Sequence, residues 1–365
     1  MNSYPKVAIV YLSFHCQPYI NDVISALKQM TYPKDKVELV IVDNPHPQRE
    51  SSVQYLIENV LPLSGNELPH ITLLPQKTNL YFAGGNNVGI KWALDNDFDY
   101  VYLHNSDGFV AAGFLEPLVD ALESNRQAGA IQSLLLLYPE TELINSSGNS
   151  FHYLGQGFCN NFRVNKHSIS LPAIRETAYA SGAAVLLRAD LLRQYGLWDE
   201  DFVLYHEDIE YSFRLRAVGY KILVAANSIF YHKYSFGRNQ EKFYYIERNR
   251  LGLMLIFFKW PTLLLMLPMA VIFELGLLLY AWRRGWLKEK LRVFEYWSTI
   301  SNWKLWLEKR RQIQKNRKVK DKELLRLASG RVGFEDKEVN IWLLSAVGNP
   351  LMVIYWWILK KFIVW

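Results

Sequence analysis

The chain has 365 residues, half of them hydrophobic and 15% aromatic, which is enough to bury a large core plus an appendage and too apolar for a disordered protein. Its two cysteines, Cys16 and Cys159, lack a CxxC partner or a nearby histidine run, which argues against a disulfide framework or zinc knuckle and fits core thiols in a reducing compartment. Net charge is +6, but Arg283 to Arg331 holds 16 Lys/Arg against five Asp/Glu, a local +11 that leaves −5 for the rest of the chain.

The N-terminal stretch has one lysine before a short apolar run, Val7 to Phe14, too brief and too soon polar for a secretion signal. The catalytic part is therefore expected in the cytoplasm. Lys6 to Ser13, Val37 to Val42, Ile71 to Leu74 and Tyr100 to Leu103 read as strands, apolar enough for a sheet buried on both faces. Tyr19 to Met30, Glu50 to Val60 and Asn87 to Leu94 have helical spacing between them. This βαβ alternation predicts a mostly parallel sheet with right-handed crossovers, whose ligands sit beyond the carboxyl ends of the strands. A mixed α/β region follows, with a helix at Phe114 to Glu123, strands near Ala130 to Leu137 and Tyr179 to Arg188, and a helix from about Glu207 that Gly219 stops. Tyr244 to Phe258 is helical and leads into an apolar segment, Trp260 to Trp282, whose one ionisable residue is Glu274.

Four strand ends and helix starts carry candidate chemistry. In LVIVDN, Asp43 and Asn44 close a buried strand, where a carboxylate can accept hydrogen bonds from a base or ribose, although Asp-Asn-Pro is also ordinary turn chemistry. NLYFAGGNNVG, Asn79 to Gly89, is a strand-to-helix turn whose Gly84 and Gly85 let the backbone approach a ligand, with a helix beginning near Asn87 to aim N–H groups at an anion. Its spacing is neither a P-loop nor GxGxxG. VYLHNSD ends a central strand in His104, Asn105, Ser106 and Asp107, and an acidic residue there can hold Mg²⁺ or Mn²⁺ bridging diphosphate oxygens or simply cap a turn. In FVLYHEDIEYSFRLRAVGY, Glu207, Asp208 and Glu210 share a first helical turn. Such carboxylates cap helices routinely, but mutual repulsion raises at least one pKa and suits a general base.

In this order, VAIVYLS, LVIVDN, NLYFAGGNNVG, HNSD, YASGAAVLLRADLL, FVLYHEDIEYSFRLRAVGY, YHKYSFG and YYIERNRL resemble the successive motifs of family 2 glycosyltransferases, particularly the rhamnosyltransferase-like branch. The resemblance covers residues 6 to about 250. It implies the glycosyltransferase type A fold, a Rossmann-like sheet for nucleotide over about 1–110 and an acceptor-binding half over about 111–250; beyond it, 251–365 reads from its own apolar and basic segments as a membrane-associated helical region. It implies an inverting transfer of a hexose from a nucleotide-sugar, dTDP-rhamnose or a UDP-sugar, to a glycan or polyprenyl-linked acceptor in cell-surface polysaccharide synthesis. Ser13 and Asp43 would contact the nucleoside; Asn79, Gly84 and Asn86 would line the nucleotide-sugar pocket; Arg248 would meet the diphosphate. Asp107 matches the last position of the family's Asp-x-Asp-type metal motif, with His232 as a further ligand or a diphosphate contact, and Asp208 matches the base, with Glu207 steering the acceptor or holding Asp208. Asn105 stands at the first position of the metal motif, leaving one carboxylate there.

A basic stretch between two tryptophan-rich apolar segments favours an anionic membrane surface over nucleic acid. Trp260 to Trp282 is 23 residues, long enough at about 1.5 Å each to cross a core of about 30 Å. A single crossing would put the basic stretch outside the cytoplasm, against the positive-inside tendency. The second segment, Ile341 to Leu359, is interrupted by Gly348-Asn349-Pro350. Re-entrant or in-plane helices on the cytoplasmic face of the inner membrane are therefore expected. Two other readings remain: a sugar nucleotidyltransferase, which expects a Gly/Lys-rich phosphate loop that YLSFHCQPY lacks, and a catalytically inactive membrane-bound scaffold of the same fold.

Overall fold

The computed structural model describes residues 4–234, 240–333 and 344–365. The chain forms two compact units: residues 1–148, 160–203 and 221–235, and residues 149–159, 204–220 and 236–365.

The first unit is built on one sheet. Its strands are β1 (Val7–Ser13), β2 (Val37–Asp43), β3 (His70–Pro75), β4 (Tyr100–Asn105), β5 (Gly108–Val110), β6 (Ala128–Leu137) and β7 (Ile144–Ser146), then β10 (Ile174–Thr177), β11 (Ala184–Arg188) and β12 (Lys221–His232). The order is β10-β12-β6-β11-β4-β1-β2-β3, with β5 on β12 and β7 on β6. The early strands β3, β2, β1 and β4 are parallel to one another; β11 runs antiparallel to both β4 and β6, and β12 is parallel to β6 but antiparallel to β10 and β5. The sheet is thus mixed rather than mostly parallel, because its second half is not built from βαβ crossovers alone.

Helices α1 (Ile20–Lys28), α2 (Val53–Asn59), α3 (Tyr81–Asp95), α4 (Glu116–Ser124) and α5 (Ala189–Tyr195) belong to the same unit. α1 buries Ile20, Val23, Ile24 and Leu27, the three- and four-residue spacing of a helix with one apolar stripe. All seven residues of β1 are buried, as a strand covered on both faces requires. From β1 the chain winds outward to β2 and β3, then returns to the other side of β1 as β4. The order therefore reverses between β1 and β4, and their carboxyl ends, Ser13 and Asn105, flank the switch point where such sheets bind ligands.

The second unit holds a small sheet of β8 (Asn149–His152), β9 (Gly157–Cys159) and β13 (Ala328–Ser329), in the order β13-β8-β9. Its helices are α6 (Glu207–Ala217), α7 (Gln240–Phe257), α8 (Trp260–Arg283), α9 (Leu287–Ser298), α10 (Ile300–Asn316), α11 (Asp321–Leu324) and α12 (Asn349–Phe362). α6 ends in a Schellman motif: Gly219 N–H bonds Arg216 O at 3.0 Å and Tyr220 N–H bonds Leu215 O at 3.0 Å, with Gly219 at φ +102°. α7 packs on α10 by admitting Trp306 at Gly252, where any Cβ would lie 2.3 Å from the indole. α8 is long and apolar enough to cross a membrane, and 22% of its most apolar 18-residue stretch is buried. Ile341 to Leu343 of the second apolar segment, and Ser235 to Gly237 of the YHKYSFG motif, lie outside the described residues.

Candidate active site

At the carboxyl end of β1, Ser13 is in register with Asp43 at the end of β2, and its hydroxyl donates to Asp43 Oδ1 at 2.7 Å. Ser51 donates to Asp43 Oδ2 at 3.1 Å. Asp43 is thus a buried carboxylate held by two hydroxyls that can rotate, and each oxygen keeps acceptor capacity for another donor. The next residue, Asn44, clamps the turn that follows β3: its oxygen accepts Leu80 N–H at 2.7 Å, while its amide donates to Asn79 Oδ1 at 2.8 Å and Tyr81 O at 3.1 Å. Asn79 Oδ1 accepts Tyr81 N–H at 2.8 Å, which starts α3.

The helix therefore begins at Tyr81 rather than near Asn87. Asn87 lies in its second turn with its side chain spent on Trp198 O at 2.9 Å and Glu200 Oε1 at 2.8 Å, and Asn86 donates back to Phe82 O at 2.9 Å. Gly85 serves close packing: a Cβ there would lie 2.5 Å from Leu12 Cδ1 on β1. At Gly84, one residue earlier, the nearest atoms a Cβ would meet are Leu80 Cβ at 3.1 Å and the Glu200 carboxyl at 3.7 Å.

Past β4, Asp107 Oδ1 receives the Asn105 amide at 2.6 Å and faces His232 Nε2 at 3.0 Å. Pairing of β5 with β12 sets Gly108 opposite His232, which brings the pair together. Only glycine fits at 108, since a Cβ would lie 2.2 Å from the Phe230 ring. Burial pushes the Asp107 carboxyl up, but the hydrogen bond and charge of His232 outweigh it and hold the group below its ordinary value. His232 Nδ1 lies 2.8 Å from Asn145 Oδ1. His104, buried among aromatic rings, is held neutral, its pKa lowered to about 4 by desolvation.

In the second unit, Tyr205 and His206 take left-handed backbone angles, φ +65° and +71°, immediately before α6. Asn249 holds this turn by donating to Leu204 O at 2.9 Å and Tyr205 O at 2.7 Å. Glu207 is buried with Oε2 unpartnered among the described residues, and desolvation first, then the charge of Asp208, raises its pKa to about 8. Glu210 is instead neutralised by Arg214, whose Nε donates at 3.0 Å. Arg248 is buried between the rings of Tyr245 and Tyr296, 5.0 and 5.2 Å from its guanidinium carbon, with Nε donating to Asn249 Oδ1 at 2.8 Å.

The sequence profile described as Glycosyl transferase family 2 matches residues 8–196, which include every strand end of the first unit except that of β12. The chain belongs to glycosyl transferase family 2. It is 26% identical to N-acetylglucosaminyl-diphospho-decaprenol L-rhamnosyltransferase of Mycobacterium tuberculosis over 47% of this chain and 62% of that one, so it spans under two thirds of the relative's length. A structure of GalNAc-T7 with UDP, GalNAc and Mn²⁺ aligns with TM-score 0.55 at 13% identity, covering 74% of this chain and 52% of the other, and shows a shared fold. S. aureus TarS with UDP-GlcNAc aligns over 98% of this chain and 90% of the other with TM-score 0.47 at 13% identity.

For this glycosyltransferase, the fit of a divalent cation turns on the donor set around Asp107. The 3.0 Å between Asp107 Oδ1 and His232 Nε2 is about the separation of two neighbouring ligands placed ~2.1 Å from an octahedral cation. His232 Nδ1 faces Asn145 Oδ1, which leaves Nε2 turned towards the Asp107 carboxylate. No group of three His, Cys, Asp or Glu gathers among the described residues. The residues present fit a cation held by two protein ligands and completed by substrate oxygens, as Mg²⁺ sites commonly are.

Of the residues singled out in the sequence, Ser13 and Asp43 meet directly, Asn79 joins them through Asn44, and Asp107 and His232 form a pair. Glu207 and Asp208 are adjacent on α6, and Arg248 lies on α7 of the same unit. Sequence reasoning left out Asn44, Asn145 and Asn249 as site residues. Asn44 had a signal in its place beside Asp43; the other two reach their partners across 87 and 44 or more residues of chain, with no local pattern to mark them.

Proposed function

We propose that this chain is an inverting hexosyltransferase that moves a sugar, rhamnose from dTDP-rhamnose in the first instance or a sugar from a UDP donor, to a polyprenyl-linked glycan acceptor at the cytoplasmic face of a membrane, in cell-surface polysaccharide synthesis. The observations that carry the reading are the Ser13–Asp43 hydrogen bond at the carboxyl ends of β1 and β2 and the Asp107–His232 pair just past the end of β4, with β1 and β4 flanking the switch point of a family 2 sheet. The donor and acceptor come from the curated relative, whose name gives a rhamnosyl donor and a decaprenyl-linked acceptor.

In this reading Asp43 and Ser13 hold the nucleoside, Asn79, Gly84 and Asn86 form the wall beside it, and Arg248 contacts the diphosphate. Held by Asp107 and His232, Mg²⁺ or Mn²⁺ would supply positive charge against the charge that builds on the leaving diphosphate. The acceptor hydroxyl forms the new bond to the anomeric carbon on the face opposite the leaving oxygen, whose bond to that carbon breaks and leaves the electron pair on the nucleoside diphosphate. Asp208 takes the hydroxyl proton, and protonated Glu207 donates a hydrogen bond that orients the acceptor.

The test is nucleotide release from a panel of nucleotide-sugars supplied with polyprenyl-linked acceptor, with Mg²⁺ or Mn²⁺ and with a chelator. Release is expected with at least one donor, to fall about 10²- to 10⁴-fold in Asp208→Asn, and to fall on chelation. Turnover with no donor, alongside nucleotide binding detected by thermal shift, would mark a binding scaffold instead.

A further inference from the structure

α8 carries an outward stripe of Leu264, Leu267, Val271, Leu275 and Trp282, all exposed and spaced by three, four or seven residues. α12 lies beside it, tied by Tyr355 O–H to Leu265 O at 2.7 Å and Trp365 Nε1–H to Thr262 Oγ1 at 2.8 Å, and exposes Ile354, Ile358 and Phe362. The other side of α8 buries Met266, Met269, Phe273 and Tyr280 against the protein and meets charge at its start and middle. At its start Lys259 N–H bonds Asp321 Oδ2 at 2.9 Å and Arg310 stacks 4.3 Å over Trp260. At its middle Glu274 pairs with Lys290 Nζ at 2.7 Å and with Arg250, and both cations also bind Glu247, at 2.8 and 3.0 Å. At its end stand the exposed Arg283 and Lys288.

We propose that α8 and α12 lie side by side in the plane of an anionic bilayer surface, their exposed apolar stripes sunk into it, and that α8 does not cross. This deepens the membrane part of the reading above and rests on it. A crossing would place Glu274 about 21 Å along the helix from Trp260, deep in a hydrocarbon core of about 30 Å. Lys290 is fixed to Glu274, so α9 would have to follow, and α9 exposes Lys288 and Arg292 within a turn on either side of Lys290. Charged groups of that kind are not carried into lipid without partners. In the plane, the same four ionised groups stay on the protein side while the stripe meets lipid. Trp260 and Trp282 at the two ends of α8 suit the headgroup level, and Arg283, Lys288, Lys360 and Lys361 lie where anionic headgroups can pair with them. A second copy of the chain is a poorer occupant, since a self-complementary contact across this face would bring like-charged rims together.

The experiment uses the full chain expressed in bacterial cells, with Lys259→Cys and Arg283→Cys made singly and labelled by a membrane-impermeant maleimide, the unsubstituted chain giving the background. The expected result is recovery in the membrane fraction, labelling of both cysteines in inverted vesicles and of neither in spheroplasts. Leu267→Asp/Leu275→Asp is expected to lower the membrane-bound fraction at least about tenfold with an unchanged circular-dichroism melt. Labelling of one end only in spheroplasts would show a crossing and overturn the in-plane arrangement while leaving membrane association intact. A soluble wild-type chain would overturn the membrane reading itself, and a dimer lost in the double variant without membrane recovery would assign the face to a second copy.

Discussion

Glu207 illustrates how one buried atom governs a residue. Its Oε2 has no partner among the described residues, and desolvation together with the Asp208 charge raises its pKa to about 8. A carboxyl whose folded pKa lies above its unfolded value near 4.3 is fully compatible with the fold at low pH, and its contribution is lost as pH rises towards and through the folded value. The wild-type melting temperature should therefore fall relative to Glu207→Gln between about pH 5 and pH 8.5, because glutamine keeps the shape and never ionises. Parallel melting curves across that interval would show that Glu207 is not protonated in the fold. The crowding of Glu207, Asp208 and Glu210 is visible in the sequence, but which carboxyl is perturbed is not. Arg214, one turn along, removes Glu210 from the contest, and only burial singles out Glu207. Likewise LVIVDN marks Asp43 as a strand end, whereas its partner Ser51 lies in a connection that no spacing rule connects to it.

At the scale of the element, α3 shows why glycine patterns mislead when read for ligands alone. Gly85 and Gly89 are four apart, and a Cβ at either would lie 2.5 Å from Leu12 or Val10 of β1. Gly85→Ala should destabilise the chain by about 1–3 kcal/mol through overpacking, measured by urea unfolding. Gly276→Ala on α8, with nothing within 4 Å of its Cβ, should be neutral or stabilising by up to about 1 kcal/mol. Equal effects at the two sites would remove close packing as the reason for Gly85. The first four strands are legible because each is a short, continuous apolar run, and the α6 stop is legible because Gly219 fits a left-handed cap. β12 is not legible. Its apolar run is broken by Ala226-Asn227-Ser228, where the strand slips register against β6 and Ser228 turns inward to meet Ser133 at 2.8 Å. The start of α3 differs from the sequence expectation for a related reason: Tyr81 enters the helix from φ +55°, held there by Asn44 and Asn79, a backbone angle that a bulky residue rarely adopts and that the sequence does not announce.

For the whole molecule, the governing feature is that charge is segregated along the chain, with +11 in residues 283–331 against −5 elsewhere. Segregated charge and an exposed apolar stripe respond to salt differently. Attraction of exposed Lys and Arg to anionic headgroups is screened over a Debye length that shrinks from about 10 Å at 0.1 M salt to about 3 Å at 1 M, whereas burial of apolar side chains is not weakened by added salt. Binding to vesicles containing phosphatidylglycerol should therefore drop as salt rises and then level off above zero, while binding to phosphatidylcholine vesicles should be weaker and nearly flat in salt. Flotation of the full chain over 0.05–1 M salt reads both limbs. Complete release from anionic vesicles at the highest salt would mean that the cations act alone and the stripe on α8 does not enter the bilayer. A flat, strong response on both lipids would assign the attachment to apolar burial alone and leave the basic stretch without its proposed role. The intermediate outcome is expected because the two features occupy the same unit: Trp282 is exposed at the end of α8, and Arg283 follows it directly.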